Sequence, residues 1–448
     1  MPKKLLSILV TLVAAAALAA PAAAQSGRTA PAVAGVPLDF ILFGLTLLGV
    51  ALFHHRTLQV GLTGLAVITI YKLVFTGFRG KPGLAGLAGH FHQEWVILVN
   101  LFLLLVGFAL LARHFEQSEL PMVLPKFLPD DWKGPFALLA MVFVLSSFLD
   151  NIAGALIGGA IAHEVFHRKV HLGYLAAIVA ASNAGGSGSV IGDTTTTMMW
   201  IHKISPGAVD HAYVAAAVAL LVFGIPASIQ QQRYSPILKD EPRDTHVDWG
   251  RVGVVAAMLA AAVVVNVTVN VKFPEASDAF PFLGVAIWVA LLAAIPWRKP
   301  EWTLLPESIR GSVFLLSLVT AATMMPVEKL PQASWHTAFG LGILSSVFDN
   351  IPLTALALRQ GGYDWGILAF TVGFGGSMIW FGSSAGVAIS NMFTEAKSVG
   401  LWLRYGWHVV VAYVVGFIVV MLTLGWHPTP ENVSEVPSAV SVAAAVAG

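Results

Sequence analysis

Two Asp-Asn pairs, Asp150-Asn151 and Asp349-Asn350, stand inside stretches that are otherwise apolar, and a third carboxylate, Asp193, closes a run of glycine and serine in another. An ionisable group in hydrocarbon is costly and persists where a partner or a water-filled cavity compensates it, so these three are the first candidates for chemistry. Oxygen-bearing side chains gather around them: Ser182, Asn183, Ser187, Thr194 and Thr195 near Asp193, and Thr354, Ser377, Ser383 and Ser384 near Asp349. Carboxylate, amide, hydroxyl and carbonyl oxygens are the ligands of hard cations such as Na⁺, whereas carboxylates repel an anion in a low-dielectric site. Taking a carboxylate out of water favours whatever neutralises it, a proton or a metal cation. Competition of the two for one site is the coupling of an antiporter. A purely structural role competes with this reading, because Asp or Ser at a helix start caps exposed backbone N–H groups, and a hydroxyl in a membrane helix often bonds its own backbone.

The elements that must hold these groups occur twice. SSFLDNIAG around Asp150 returns as SSVFDNIPL around Asp349, 199 positions later, and NAGGSGSVIGD around Ser187 returns loosely as GFGGSMIWFGSSAG around Ser377, 190 positions later. Residues 136–149 and 152–163 form helical arms of ~21 and ~18 Å at 1.5 Å per residue, each too short to cross ~30 Å of hydrocarbon alone. Basic loops flank both arms, which places a re-entrant hairpin with Asp150-Asn151 at its tip. Residues 335–359 make the second hairpin, tipped by Asp349-Asn350. The glycine-rich stretches predict a span over 172–202 broken at 183–192 and a second broken span over 364–392, since unwound backbone at membrane depth is tolerated where it lines a cavity or meets a ligand.

Hydrophobic residues make up 57% of the 448 and charged residues 11%, far below the roughly 25% charged of soluble domains. The chain is therefore expected to be an all-α polytopic membrane protein. Its net charge of +1, with basic residues scattered among loops, gives no footprint for nucleic acid. The absence of cysteine removes disulfides, thiolate metal sites and cysteine nucleophiles. His163-Glu164-x-x-His167 spells a zinc-protease helix motif, in which two His four apart share a metal and the Glu acts as base. It falls at the loop end of the first hairpin rather than in mid-span, with no third ligand in view. Metal ligation by His163 and His167, and an intramembrane metalloprotease with it, is the minor alternative; the main expectation is a transporter, not an enzyme, with no cofactor beyond the Na⁺ and H⁺ it moves.

Lys3 and Lys4, an apolar run and Ala22-Ala23-Ala24 make residues 1–24 a secretory signal peptide by pattern. A first repeat then covers 38–229, a cytoplasmic linker 230–249, a second repeat 250–426, and a disordered tail 427–448. Each repeat has spans (38–53, 58–77 and 95–112; 250–271, 281–296 and 303–325), a hairpin, a broken span and a closing span, 207–229 or 402–426. Five net crossings per repeat invert the second relative to the first, the plan of many secondary transporters. With the mature N-terminus and the C-terminus periplasmic in a bacterial inner membrane, the larger share of Lys and Arg falls on the cytoplasmic side, as the positive-inside bias requires.

The Asp-Asn tip, the stretch SNAGGSGSVIGDTTTTMMWI, and DNIPL with GFGGSMIWFGSSAGVA resemble the ion-transporter superfamily, above all its NhaD-type sodium/proton antiporters and citrate-transporter-like permeases. The resemblance covers roughly residues 38–426. It implies two inverted repeats, a scaffold and a moving transport unit in the lipid bilayer, a small ion as substrate, and often a homodimer. NhaD-like proteins tend to carry Thr soon after the first Asp-Asn; Ala153 and Gly154 stand there in this chain, which leaves the first tip poorer in oxygens, whereas Thr354 follows the second. Cation/proton antiport is the expected function, with uptake of citrate or another organic anion as the alternative.

Overall fold

The computed structural model describes residues 31–429 apart from 34, 54–55, 79–82, 124–127, 238–245, 274–275 and 277–278. The proposed signal peptide, and the tail beyond residue 429, lie outside the described residues. Apolar sequence with few breakers gives helices almost throughout, the exception being a two-residue antiparallel pair, β1 (Ala32–Val33) with β2 (Val36–Pro37). The first half consists of α1 (Leu38–Leu52), α2 (Thr57–Tyr71), α3 (Gly83–Glu116), α4 (Lys133–Ser146), α5 (Asn151–Val165), α6 (Leu172–Ser187), α7 (Thr194–Ile201) and α8 (Ala212–Tyr234). The second consists of α9 (Trp249–Lys272), α10 (Phe282–Ala294), α11 (Leu305–Thr323), α12 (Trp335–Ser345), α13 (Asn350–Gln360), α14 (Trp365–Gly375), α15 (Ser384–Met392), α16 (Val399–Tyr405) and α17 (Trp407–Thr423). Five helical stretches among the described residues are long and apolar enough to cross a membrane, and α16 with α17, bent by 63°, makes a sixth candidate. The protein is an all-α polytopic membrane protein.

Three boundaries differ from the sequence reading. The glycine-rich segment before residue 95 is helical from Gly83, so α3 is ~51 Å long at 1.5 Å per residue. Its early turns are anchored sideways: His90 Nε2 lies 3.2 Å from Thr323 Oγ1, and Glu94 pairs with Arg359. The first broken span stays helical through Asn183-Ala-Gly-Gly to Ser187 and breaks only over 188–193. Close packing compensates the poor helix propensity there, since a Cβ on Gly185 would land on the Phe143 carbonyl, and one on the matched Gly375 on the Gly342 carbonyl. The tail begins ordered. His427 N donates to Asp364 Oδ2 at 2.8 Å and Thr429 N to the Tyr363 carbonyl at 3.3 Å.

The halves interlock through matched pairings. Helix α4 packs on α6 as α12 packs on α14; α2 packs on α11 as α3 packs on α10; and α5 meets α15 as α7 meets α13, while α8 runs against α17. Two ends of this bundle can be named by their charges. At one, Arg113 pairs with Glu301 at 2.6 Å and Arg298 with Asp248 at 2.7 Å; at the other, Lys72 pairs with Asp39 at 3.2 Å and Arg359 with Glu94 at 3.4 Å. The loops that follow α5 and α13 lie at opposite ends of α8. His171, after α5, has its ring against Tyr234 and its backbone N–H on Gln231. Asp364, after α13, instead holds His211 Nε2 at 2.7 Å just before α8 begins, a contact that raises the imidazole pKa.

Candidate ion-binding site

Four helices begin at one place. Asp150 caps α5, Asp193 caps α7, Asp349 caps α13 and Ser383 caps α15, each side chain accepting from a backbone N–H of its own first turn. A helix N-terminus carries roughly +0.5 charge and a C-terminus roughly −0.5. Helices α4, α6, α12 and α14 end just ahead of these starts, so the dipole ends roughly cancel. What remains is the charge of three carboxylates, with no Lys or Arg among their hydrogen-bond partners in the described residues. The capping role read from the sequence is thus present, and it does not exhaust the carboxylates.

Asp193 is the hub. It is 2% exposed; Oδ1 accepts from Asn151 Nδ2 at 3.2 Å and Oδ2 accepts from Thr195 Oγ1 at 2.7 Å and from Asn350 Nδ2 at 3.4 Å. The Asn that opens α5 and the Asn that opens α13 therefore lean on the same carboxylate. Asn183, fully buried, is a second hub: its Oδ1 accepts from Asn151 Nδ2 at 3.0 Å, and its Nδ2 donates to Ser377 Oγ at 2.9 Å and Ser383 Oγ at 3.0 Å. Asp349 is half-buried and accepts from Ser384 Oγ at 3.0 Å, while Asp150, also half-buried, accepts from Ile152 N at 3.3 Å and has the Thr194 hydroxyl as a further partner.

The remaining candidates take lesser places. Ser182 donates to the Asn151 carbonyl and lies 3.2 Å from Ser146 Oγ, so it shapes the first tip from behind. The hydroxyls of Ser187 and Thr354 bond the carbonyls of Ala184 and Asn350 in their own helices. Thr194 opens α7 next to Asp193 and is 8% exposed. Reading the two halves as two separate oxygen sets missed their union: Asn350 and Ser377 turn to Asp193 and Asn183 of the other half. The pattern held one signal of it. Where Asn183 stands in the first half, Gly373 stands in the second, and a Cβ there would lie 3.2 Å from Asp193 Oδ2, so the second half yields room where the first supplies an amide.

A cleft reaches Asp349 and Ser384 from the Arg113 end, between the C-terminal end of α1, α11 and α15. Leu47, Phe314, Leu318, Phe381 and Val387 line it with Thr57, and no basic side chain is found among its described lining residues. The His163 motif is not a metal helix here. Helix α5 stops at Val165 and His167 has a left-handed backbone, φ 51°, so His163 and His167 do not share a helical face; no group of three or more His, Asp or Glu suited to a metal occurs among the described residues.

No family model matches the sequence. Over 294 residues, 56% of the chain, it is 29% identical to sodium/proton antiporter 1 of Arabidopsis thaliana, and over 300 residues 23% identical to the Na⁺/H⁺ antiporter NhaD of Vibrio parahaemolyticus. The chain is similar to NhaD-type sodium/proton antiporters. A second NhaD, from Halomonas elongata, is 23% identical over 329 residues, 62% of the chain. The match spans 49% of the length of the first relative, 71% of the second and 65% of the third. These relatives are named as transporters, consistent with a site that offers oxygens and exchangeable charge.

Proposed function

We propose that this protein exchanges Na⁺ for H⁺ across the membrane by alternating access, with the cation and the proton competing for Asp193. The observation that carries the reading is the buried Asp193 carboxylate, held between amide donors from both hairpin tips. Either a proton or a hard cation neutralises it, and not both at once. Rotating the Asn151 or Asn350 amide by 180° exchanges Nδ2 for Oδ1, which turns a donor that partners the bare carboxylate into a further oxygen ligand for Na⁺. Three carboxylates and an access cleft without basic residues disfavour citrate. In proteoliposomes holding an imposed pH gradient, added Na⁺ is expected to dissipate the gradient and citrate to leave it unchanged. Citrate uptake without Na⁺-driven proton movement would overturn the assignment.

The halves are proposed to be inverted repeats with Asp150 and Asp349 at matched re-entrant tips. Supporting this are the matched helix pairings and the two hairpin loops at opposite ends of α8. In this cysteine-free chain, Lys169→Cys and Arg359→Cys should react with an impermeant maleimide from opposite faces of the membrane. Reaction of both from one face would refute the inverted plan.

A further inference from the structure

We infer that the Glu94–Arg359 ion pair is a latch that holds the Glu94 end of the transport route shut while the Arg113 end stands open. The inference rests on the transport reading only for what the route carries.

From the four helix starts at the site, two helices run to each end of the molecule. Helices α5 and α15 run to the Arg113 end, where His163 and Phe393 meet edge to face with centroids 5.8 Å apart and the Phe166 carbonyl accepts from Ser235 Oγ at 3.4 Å. Helices α7 and α13 run to the Glu94 end, where Arg359 occupies the last turn of α13. Matched contacts in the two halves are unequal. Helix α13 lies along α11, while the matched contact of α5 with α3 is slight; α7 meets α3, while α15 stands off from α11 across the cleft. The α7–α13 pair is thus docked on α3 and α11, whereas α5 and α15, packed on each other and on α6, touch those two helices little.

The docked side is sealed by apolar packing. Ile351 and Ala355 of α13 and Met198 of α7 share a buried cluster with Leu98 of α3 and Leu318 of α11. The ion pair sits over this seal. Arg359 Nη1 is 3.4 Å from Glu94 Oε1, with the Glu94 side chain 7% exposed and that of Arg359 20%, so the pair joins α13 to α3 and is only partly covered. That position suits a reversible contact: a fully buried pair is hard to separate, and an exposed one adds little. The matched position of α5, 199 residues before Arg359, is Ala160, so the latch has no counterpart at that position. Closure at the Glu94 end is accordingly charge-assisted, whereas the matched position at the Arg113 end carries no charge.

The test places a single cysteine in the seal by Ala355→Cys, in the full chain in membrane vesicles, and follows its reaction with an impermeant maleimide from the Glu94 face. With the ion pair intact the thiol should react slowly. Arg359→Gln or Glu94→Gln should each raise the rate about tenfold, the equivalent of about 1.4 kcal/mol, and the exchange Glu94→Arg with Arg359→Glu should restore protection. Equal rates in all four proteins overturn the latch, as does a swapped pair that labels like the single variants, since loss of side-chain packing rather than of pairing would then explain the reactivity. Should one single variant fail to accumulate, the other with the swapped pair decides the question. Labelling needs no ion flux, so failure of the antiport reading leaves this result standing, and unchanged labelling counts against the latch alone.

Discussion

Asp193→Asn is expected to abolish Na⁺-driven proton movement, by at least about 100-fold, while leaving a folded protein. The fold should survive because Asn is itself a good N-cap and its amide oxygen can still accept from the Thr195 N–H and from Asn151, the partners of Oδ1. Thr195 and Asn350 can each rotate to accept from the new amide nitrogen in place of donating to Oδ2. What cannot be replaced is the charge. Removing one partner of a buried charge interaction costs about 3–5 kcal/mol, roughly two to four powers of ten in an equilibrium, and the variant also loses the proton it would exchange. Measured side by side, exchange in proteoliposomes should be absent and the melting curve near that of the parent. Parental exchange rates in Asp193→Asn would return the residue to capping and remove the core of the proposed function.

Composition and patterning carried the class of this protein and the positions of its polar tips. The reason is physical: in hydrocarbon, every ionisable residue and every glycine cluster is expensive unless it has a task, so Asp150, Asp193, Asp349 and the Gly-Gly-Ser runs stand out against apolar background. Extents were less legible. Residues 183–187 stay helical because Gly185 meets the Phe143 carbonyl, a tertiary contact that overrides local propensity. The ion pairs at the Glu94 end were not legible as a pair, since Glu94 and Arg359 are 265 positions apart and each reads alone as an ordinary interfacial charge. Nor did the sequence separate one shared site from two. Pseudo-symmetry gives each half its own set, and the geometry crosses them: Asn350, Ser377 and Ser383 of the second half turn to Asp193 and Asn183 of the first.

That crossing leads to the second large effect. Asn183→Leu keeps the branched outline and heavy-atom count of the side chain and removes three hydrogen bonds at once, two of them to Ser377 and Ser383 of the other half. Asn151 still has Asp193 to donate to, and Ser383 still accepts from the Gly386 N–H at 3.2 Å, but the fully buried Ser377 hydroxyl loses the only side-chain partner described for it. Each buried polar group left unsatisfied costs about 1–3 kcal/mol, so a loss of roughly 2–4 kcal/mol of stability is expected, together with loss of exchange because Asn151 and Ser383 are no longer held relative to Asp193. A cycle with Ser377→Ala separates a shared site from two independent ones. If Asn183 and Ser377 act through their mutual bond, Ser377→Ala should cost little more once Asn183 is Leu, a coupling of about 1–2 kcal/mol in the melting or denaturant series. Strict additivity of the two substitutions would mean that the halves keep separate sites, and that the union of Asn183 with Ser377 does not hold them together.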